Sequence, residues 1–317
     1  MPLPIALLHN SGAGKADLSA DELTALLRAA GFAPTYFSLE EQLDDPALLT
    51  TGEFVAVAGG DGSIRAAALR FAHTGRALAP LPLGTANNIA TSLGIRGEPV
   101  EIIAGWKKPQ RRSIDLGLAT GPWGKQRFIE GVGVGLVGRA ISIIESIAEA
   151  SGHDYANRDD ELHRDLCVFL AIASEMSPLG LGVALDSEEV RDAFLLLEIL
   201  NITRAGPRLE LAAHADMSDG FFDVISVTTG EREKLKERLV QHFSQRSGPI
   251  LDSRQARHIR ITTAHCDLRI DDRLMLRCDD PAKPLAEPIV VDIAVEPKAL
   301  EILVPATATR DDGPAAD

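Results

Sequence analysis

The chain has 317 residues, 45% of them hydrophobic and 25% charged, the balance of a folded globular protein with room for two domains. A formal net charge of −14 speaks against a nucleic-acid binder, which needs Lys and Arg facing phosphates, and aromatic residues, at 4%, are too few for base-stacking platforms. No apolar run approaches the roughly 20 residues of a membrane span. Met1-Pro2-Leu3-Pro4-Ile5 has no basic n-region, so no signal peptide is expected. Cys167, Cys266 and Cys278 form neither a CxxC metal motif nor a disulfide framework, and a reducing cytoplasm is the expected compartment.

Pro4 to His9 reads as a short apolar strand, followed by the small turn Asn10-Ser11-Gly12-Ala13-Gly14-Lys15. That turn is not a Walker loop, because no second Gly-Lys-Ser/Thr element follows at the required spacing. Ser19 or Asp17 can cap a helix carrying Leu23, Leu26 and Leu27 on one face and ending near Gly31. A second strand is expected over Ala33 to Leu39 and a helix over Glu40 to Thr50. A third strand, Glu53 to Ala58, runs into Gly59-Gly60-Asp61-Gly62-Ser63, and a helix follows over Ile64 to Phe71. Glycines there let backbone approach a ligand, amides at the helix start face anions, and Asp61 adds a carboxylate suited to a metal–phosphate complex. An ordinary strand-to-helix turn is the plainer reading.

Leu78 to Leu83 again meets a glycine turn, Gly84-Thr85-Ala86-Asn87-Asn88, and a helix. Thr85 or Asn87 alone would read as a helix cap. Beside two similar turns, a shared polyphosphate site is the better reading. A helix over Pro99 to Trp106 closes this part. Strands alternating with helices imply βαβ units and a parallel sheet whose ligands sit outside the carboxyl ends of the strands. The basic cluster Lys107, Lys108, Arg111 and Arg112 reads as a solvated loop before a strand.

From Gln110 the character changes. Strands are expected over Ser113 to Thr120 and Arg127 to Val134, then helices over Leu136 to Ala150 and Asp160 to Met176, joined by a mobile linker, Ser151 to Asp159. After Gly180 short strands dominate: 181–186, 194–202, 208–213, 221–228, 258–263, 266–270 and 288–294, interrupted by one helix, Glu231 to Phe243. Many short, closely spaced strands suggest an antiparallel sandwich or barrel. The tail, 306–317, is small, charged and expected to be disordered.

Gly59-Gly60-Asp61-Gly62-Ser63, followed by Pro82-Leu83-Gly84-Thr85-Ala86-Asn87-Asn88-Ile89-Ala90, resembles the diacylglycerol kinase catalytic domain, and more closely its bacterial soluble lipid kinases, relatives of NAD and sphingosine kinases. Asn10 with Ala13-Gly14 is similar to that family's first phosphate turn, and Asp216-Met217-Ser218-Asp219-Gly220-Phe221-Phe222-Asp223-Val224 to its Asp-Gly-x-x-Asp-Val segment. The resemblance implies an α/β nucleotide domain with a parallel sheet over 1–110, a mainly antiparallel β-sandwich-like domain over 111–305 whose last strand, near 299–304, returns to the first, and an active site in the cleft between them. It implies ATP and Mg²⁺ as cofactors and a membrane-drawn lipid alcohol as acceptor. By motif match, Asn10, Ser11, Gly12, Ala13, Gly14, Ser38, Gly59, Gly60, Asp61, Gly62, Ser63, Arg65, Gly84, Thr85 and Asn87 surround the nucleotide. Asp219, the carbonyls of Asp216 and Phe221, and Asp115 through water hold a structural Mg²⁺. Exposed strands of the second domain offer a route to a homodimer, and a peripheral membrane contact is compatible with the acceptor.

Phosphoryl transfer needs positioning and charge neutralisation, which Asp61 and the glycine-turn amides suit, and a carboxylate base helps a weak hydroxyl nucleophile. The family's base is implied to be the glutamate of a late Asp-Gly-Glu. Here that stretch reads Asp271-Asp272-Arg273. Asp272 is the expected base, Asp271 the fallback, and Arg273 cannot accept a proton. Arg65, Ala66, Asn88 and Glu130 also depart from the family pattern. Two alternatives stand beside the lipid kinase: a kinase of the same superfamily with a soluble acceptor, and a nucleotide- or lipid-binding protein without turnover.

Overall fold

The computed structural model describes residues 1–12, 18–151, 158–206, 208–243, 251–264, 268–276 and 285–306. In chain order the first part comprises β1 (Leu3–His9), α1 (Ala20–Ala29), β2 (Phe32–Ser38), α2 (Leu39–Gln42), β3 (Val55–Gly59), α3 (Asp61–Phe71), β4 (Ala77–Pro82), α4 (Asn88–Ser92), α5 (Pro99–Gly105) and β5 (Gln110–Gly121). There follow β6 (Gly124–Phe128), β7 (Gly131–Gly135), α6 (Leu136–Ser151), α7 (Arg158–Glu175), β8 (Leu179–Leu185) and β9 (Glu188–Leu200). The last part holds β10 (Arg204–Ala205), β11 (Leu209–Glu210), β12 (Phe222–Thr228), α8 (Arg232–Phe243), β13 (Ser253–Ala256), β14 (His258–Thr263), β15 (Leu268–Ile270), β16 (Arg273–Leu274) and β17 (Ile289–Val304). Two compact units emerge: Met1–Leu116 with Met217–Asp219 and the chain from Glu296 onward, and Gly117–Asp216 with Gly220–Val295. The chain leaves the first unit within β5, rejoins it briefly at Met217–Asp219 and returns to it finally within β17.

The first unit is a parallel sheet in the order β2-β1-β3-β4, with the second half of β17 added in parallel beside β4 (Ala77 opposite Glu301). Val55–Gly59 is buried along its whole length, as a strand covered by helices on both faces must be. α1 starts at the capping box Ser19/Glu22 and buries Leu23 and Leu27. Trp106, buried behind α5, packs edge-on against Phe32 and Phe54. After β1 the chain moves to β2 on one side and then to β3 on the other. The strand order therefore reverses between the carboxyl ends of β1 and β3, the place where open α/β sheets bind ligands.

The second unit is antiparallel and sandwich-like, and β9 is its pivot. Its first half pairs with β8, while its second half lies between β7 and β12. β8 continues to β14 and the first half of β17; β7 continues to β15 and β16; β12 continues to β13. The inner faces bury Phe128 stacked on Phe222, with Val132, Val134, Leu197, Ile199, Ile261 and Ile270. Leu196 and Leu200, on the other face of β9, pack with Leu136 of α6, Phe169 of α7 and Leu235 of α8.

Several expected elements come out differently. The helix expected over Glu40 to Thr50 is only α2 and a 3₁₀ turn, Pro46–Leu49, because Pro46 lacks an N–H and holds Asp45 extended. The strand expected over Arg127 to Val134 breaks into β6 and β7 at Ile129 and Glu130, whose amides turn toward the Asp271 carboxylate instead of a sheet partner. The strand 208–213 shrinks to β11, and the strands 288–294 and 299–304 are one strand, β17. α3 begins at Asp61, three residues early. The centre of the expected linker, 152–157, residues 265–267 of an expected strand and the tail 307–317 lie outside the described residues.

Candidate active site

Three turns meet at the carboxyl ends of β1, β3 and β4. The Asn10 amide Nδ2 donates to Ser63 Oγ at 3.1 Å, and its Oδ1 accepts from the Gly12 N–H at 3.1 Å, so one side chain ties the first turn to the start of α3. Gly60 and Gly84 cross backbone to backbone: a Cβ on Gly84 would lie 2.4 Å from the Gly60 Cα. No other residue type fits that crossing. The Leu83 N–H reaches the Gly59 carbonyl at 2.9 Å. Asn87, in the left-handed conformation at φ 53°, closes the Gly84 turn by accepting from the Gly84 N–H at 3.0 Å and donating to its carbonyl at 2.8 Å.

Asp61, the first residue of α3, is committed to α4. Its Oδ2 accepts from the Asn88 N–H at 2.9 Å and its Oδ1 from the Ile89 N–H at 3.0 Å. Burial pushes the Asp61 carboxyl above its ordinary range, against the opposing pull of those amides and of Arg65. α3 itself has no side-chain cap. The Ser63 and Ile64 N–H groups donate to the Gly60 carbonyl, and the start of α3, at the switch point between β1 and β3, is a setting that favours an anion.

Of the other expected nucleotide contacts, Ser38 ends β2 with its N–H on Gln42 Oε1 at 2.9 Å, and Arg65 lies over Gly62. Ser11, Gly12 and Thr85 are exposed. Ala13 and Gly14 lie outside the described residues. Asp115 is buried; its Oδ1 accepts from the Lys298 N–H at 2.7 Å, and its own N–H donates to the Met217 carbonyl at 2.6 Å. Asp216 and Asp219 are exposed. Among the described residues no group of three or more His, Cys, Asp or Glu side chains is arranged to hold a metal ion. A site made from one carboxylate and backbone carbonyls, the set the resemblance implies, needs no such group.

In the second unit Asp271 and Asp272 form the turn between β15 and β16. Asp271 is buried and left-handed at φ 53°. Its Oδ1 accepts from the N–H of Glu130 at 2.8 Å and Gly131 at 3.2 Å, and its Oδ2 from the N–H of Ile129 at 3.4 Å. Asp272 is exposed. Behind the turn, Arg269 donates to the Asp271 carbonyl at 2.5 Å and to Glu198 Oε2 at 2.5 Å, with both side chains buried. Burial pushes the Glu198 carboxyl up to about 7 despite Arg269. Asn201 completes the clamp, donating to the Ile129 carbonyl at 3.0 Å. Sequence reading missed Glu198, Arg269 and Asn201. The one signal available was Glu198 itself, a charge set inside the apolar run Phe194 to Ile202.

The parallel α/β unit thus sets three interlocked turns at its topological switch point, where open α/β sheets bind ligands. Residues 4–119 match the model of the diacylglycerol kinase catalytic domain, the domain that the glycine motifs resemble. The chain shares its fold with two solved structures from Bacillus anthracis str. Sterne. One is a candidate diacylglycerol kinase, 18% identical, with TM-score 0.69, covering 95% of this chain and 97% of that one. The other is a diacylglycerol kinase, 18% identical, with TM-score 0.67, covering 96% and 98%. No curated protein matches the chain.

Proposed function

We propose that the protein is an ATP- and Mg²⁺-dependent kinase that phosphorylates a hydroxyl of a lipid such as diacylglycerol or a related amphiphile. The observation that carries this reading is the interlocking of Asn10, Gly59–Ser63 and Gly84 around uncapped amides of α3, with Gly60 and Gly84 in backbone contact. In this reading those amides and Asn10 bind and orient the phosphates, and Arg65 adds positive charge beside Asp61. Mg²⁺, when bound with the nucleotide, neutralises phosphate charge; Asp61, Asp115, Asp219 and the carbonyls of Asp216 and Phe221 are the groups proposed to serve it. Asp272 takes the proton of the acceptor hydroxyl. Its exposure supports that choice, whereas the Asp271 carboxylate is occupied by three amides.

Among the described residues no helix is long and apolar enough to cross a membrane, so the acceptor is proposed to be taken at a membrane surface from outside it. The test incubates the protein with labelled ATP, Mg²⁺ and a lipid extract. Label in the organic phase, lost in Asp272→Asn, is the expected result. Label only in the aqueous phase would move the acceptor to a soluble alcohol. A melting temperature raised by ATP with no transfer would leave a binding protein, and no rise would remove the nucleotide site.

A further inference from the structure

The second unit buries an ion pair that the reaction just proposed does not use. Glu198 on β9 and Arg269 on β15 are 0% and 2% exposed, and β7 runs between their strands. The register places Gly133 between them, opposite both residues. A Cβ on Gly133 would lie 2.2 Å from Glu198 Oε1, so the pair reaches across β7 only because a glycine leaves the room. Among the described residues Glu198 Oε1 and Arg269 Nε have no hydrogen-bond partner. A buried pair so incompletely satisfied is a poor source of stability, since desolvation offsets most of its attraction. Something other than stability must retain it.

What Arg269 does with its second arm supplies that reason. It holds the carbonyl of Asp271, whose left-handed backbone sets both the turn and the position of Asp272. The same residue's carboxylate grips the amides of Ile129 to Gly131. We propose that Glu198 and Arg269 are positioning residues for the 271–272 turn, holding the Asp272 carboxylate where it meets the acceptor hydroxyl. This inference rests on the proposed kinase reading for its chemistry, though not for its geometry. The pair acts when Glu198 is charged, so turnover gains an acid limb that belongs to Glu198. At the register of Glu198 the neighbouring strands offer Gly133 and Ile225, and the charge acting on it is that of Arg269.

The test compares wild type with Glu198→Gln, Arg269→Lys and Arg269→Met, and reads kcat and KM against pH together with hydrogen exchange at the Glu130 and Gly131 amides. In Arg269→Met, kcat falls by about 10²-fold with KM for ATP unchanged, the loss a displaced catalytic group produces. Arg269→Lys restores part of it, and Glu198→Gln abolishes the acid limb. The two amides exchange faster in Arg269→Met by more than its lowered melting temperature accounts for, since losing one partner of a buried pair also destabilises the fold. A wild type that transfers no phosphate would defeat the kinase reading alone, and the exchange data would still decide the geometry. Unchanged exchange and an unchanged kcat–pH profile in a folded Arg269→Met would overturn the inference. Should Arg269→Met fail to fold, Gly133→Ala, which displaces Glu198 without altering any charge, is read by the same measurements.

Discussion

Each unit holds a turn rigid, and the two do so by opposite means. In the first, the turns after β1, β3 and β4 are fixed by backbone against backbone: the Gly60–Gly84 crossing, Asn87 folded onto Gly84, and the Asp61 carboxylate on two amides of α4. In the second, the 271–272 turn is fixed by buried charge: Asp271 on three amides, Arg269 on its carbonyl, Glu198 behind Arg269. A backbone crossing fails when a side chain is added. A charge clamp fails when a side chain is removed or neutralised, and it responds to pH.

The sharpest break in that comparison comes from deleting the central anion of the charge clamp. Asp271→Ala leaves buried amides of Ile129, Glu130 and Gly131 without their acceptor and asks alanine to hold φ 53°. We expect a loss of roughly 3–5 kcal/mol in denaturant unfolding, since each orphaned donor costs about 1–3 kcal/mol. A loss under about 1 kcal/mol would mean that water replaces the carboxylate and that the turn is not clamped.

The pH response comes next. In the unfolded chain Glu198 titrates at its ordinary 4.5, and in the fold at about 7. Between these values the folded protein binds more protons than the unfolded one, so stability is fully present below about pH 4.5 and falls as pH rises to about 7, by roughly 3 kcal/mol. Glu198→Gln removes that slope and is more stable than wild type above pH 7, even as turnover falls. Equilibrium unfolding of both proteins from pH 4 to pH 8 checks it. Parallel stability curves would show that Glu198 does not carry the slope.

The same contrast explains what the sequence made legible. The glycine turns are local: Gly59 to Ser63 and Gly84 to Asn88 each follow an apolar strand, and their chemistry reads directly from residue type and spacing. So does the parallel pairing of β1 to β4, though not their order. The partners of the charge clamp lie far apart in the chain, 71 residues between Glu198 and Arg269 and 141 between Glu130 and Asp271, and no local pattern connects them. Lacking those partners, Asp271 reads as a fallback base behind Asp272, although its side chain is buried and Asp272 is exposed. The break between β6 and β7 was hidden for the same reason, because its cause is a carboxylate on another strand. The short α2 was available in principle, since Pro46 stands inside the expected helix.

For the backbone crossing the corresponding lesion is Gly84→Ala. Its Cβ would meet the Gly60 Cα at 2.4 Å and Asn87 Oδ1 at 3.0 Å, so both turns must move apart. Overpacking of this kind costs about 1–3 kcal/mol. The functional loss is larger: ATP with Mg²⁺ should no longer raise the melting temperature. A variant that still shows the full ATP-dependent rise would remove the crossing from the nucleotide site. The mirror substitution at Gly133 spoils the charge clamp and should leave that rise intact, which separates the two units in one assay.

The smallest effect is the most specific. Ser63→Ala removes a single hydroxyl, the acceptor of Asn10 Nδ2, from a buried position at the start of α3. One neutral hydrogen bond is worth about 1 kcal/mol, so stability changes little. Asn10 then keeps only its bond to the Gly12 N–H, and the first turn loses its tie to α3. If that tie orders the turn for phosphate, Asn10→Ala should weaken the ATP-induced rise more than Ser63→Ala, and the double variant no more than Asn10→Ala alone. Two residues that act through one bond do not add, and a double-mutant cycle should return a coupling near 1 kcal/mol. Additive losses would instead mean that Ser63 acts apart from Asn10, and the first turn would then belong to the site without being held by the second.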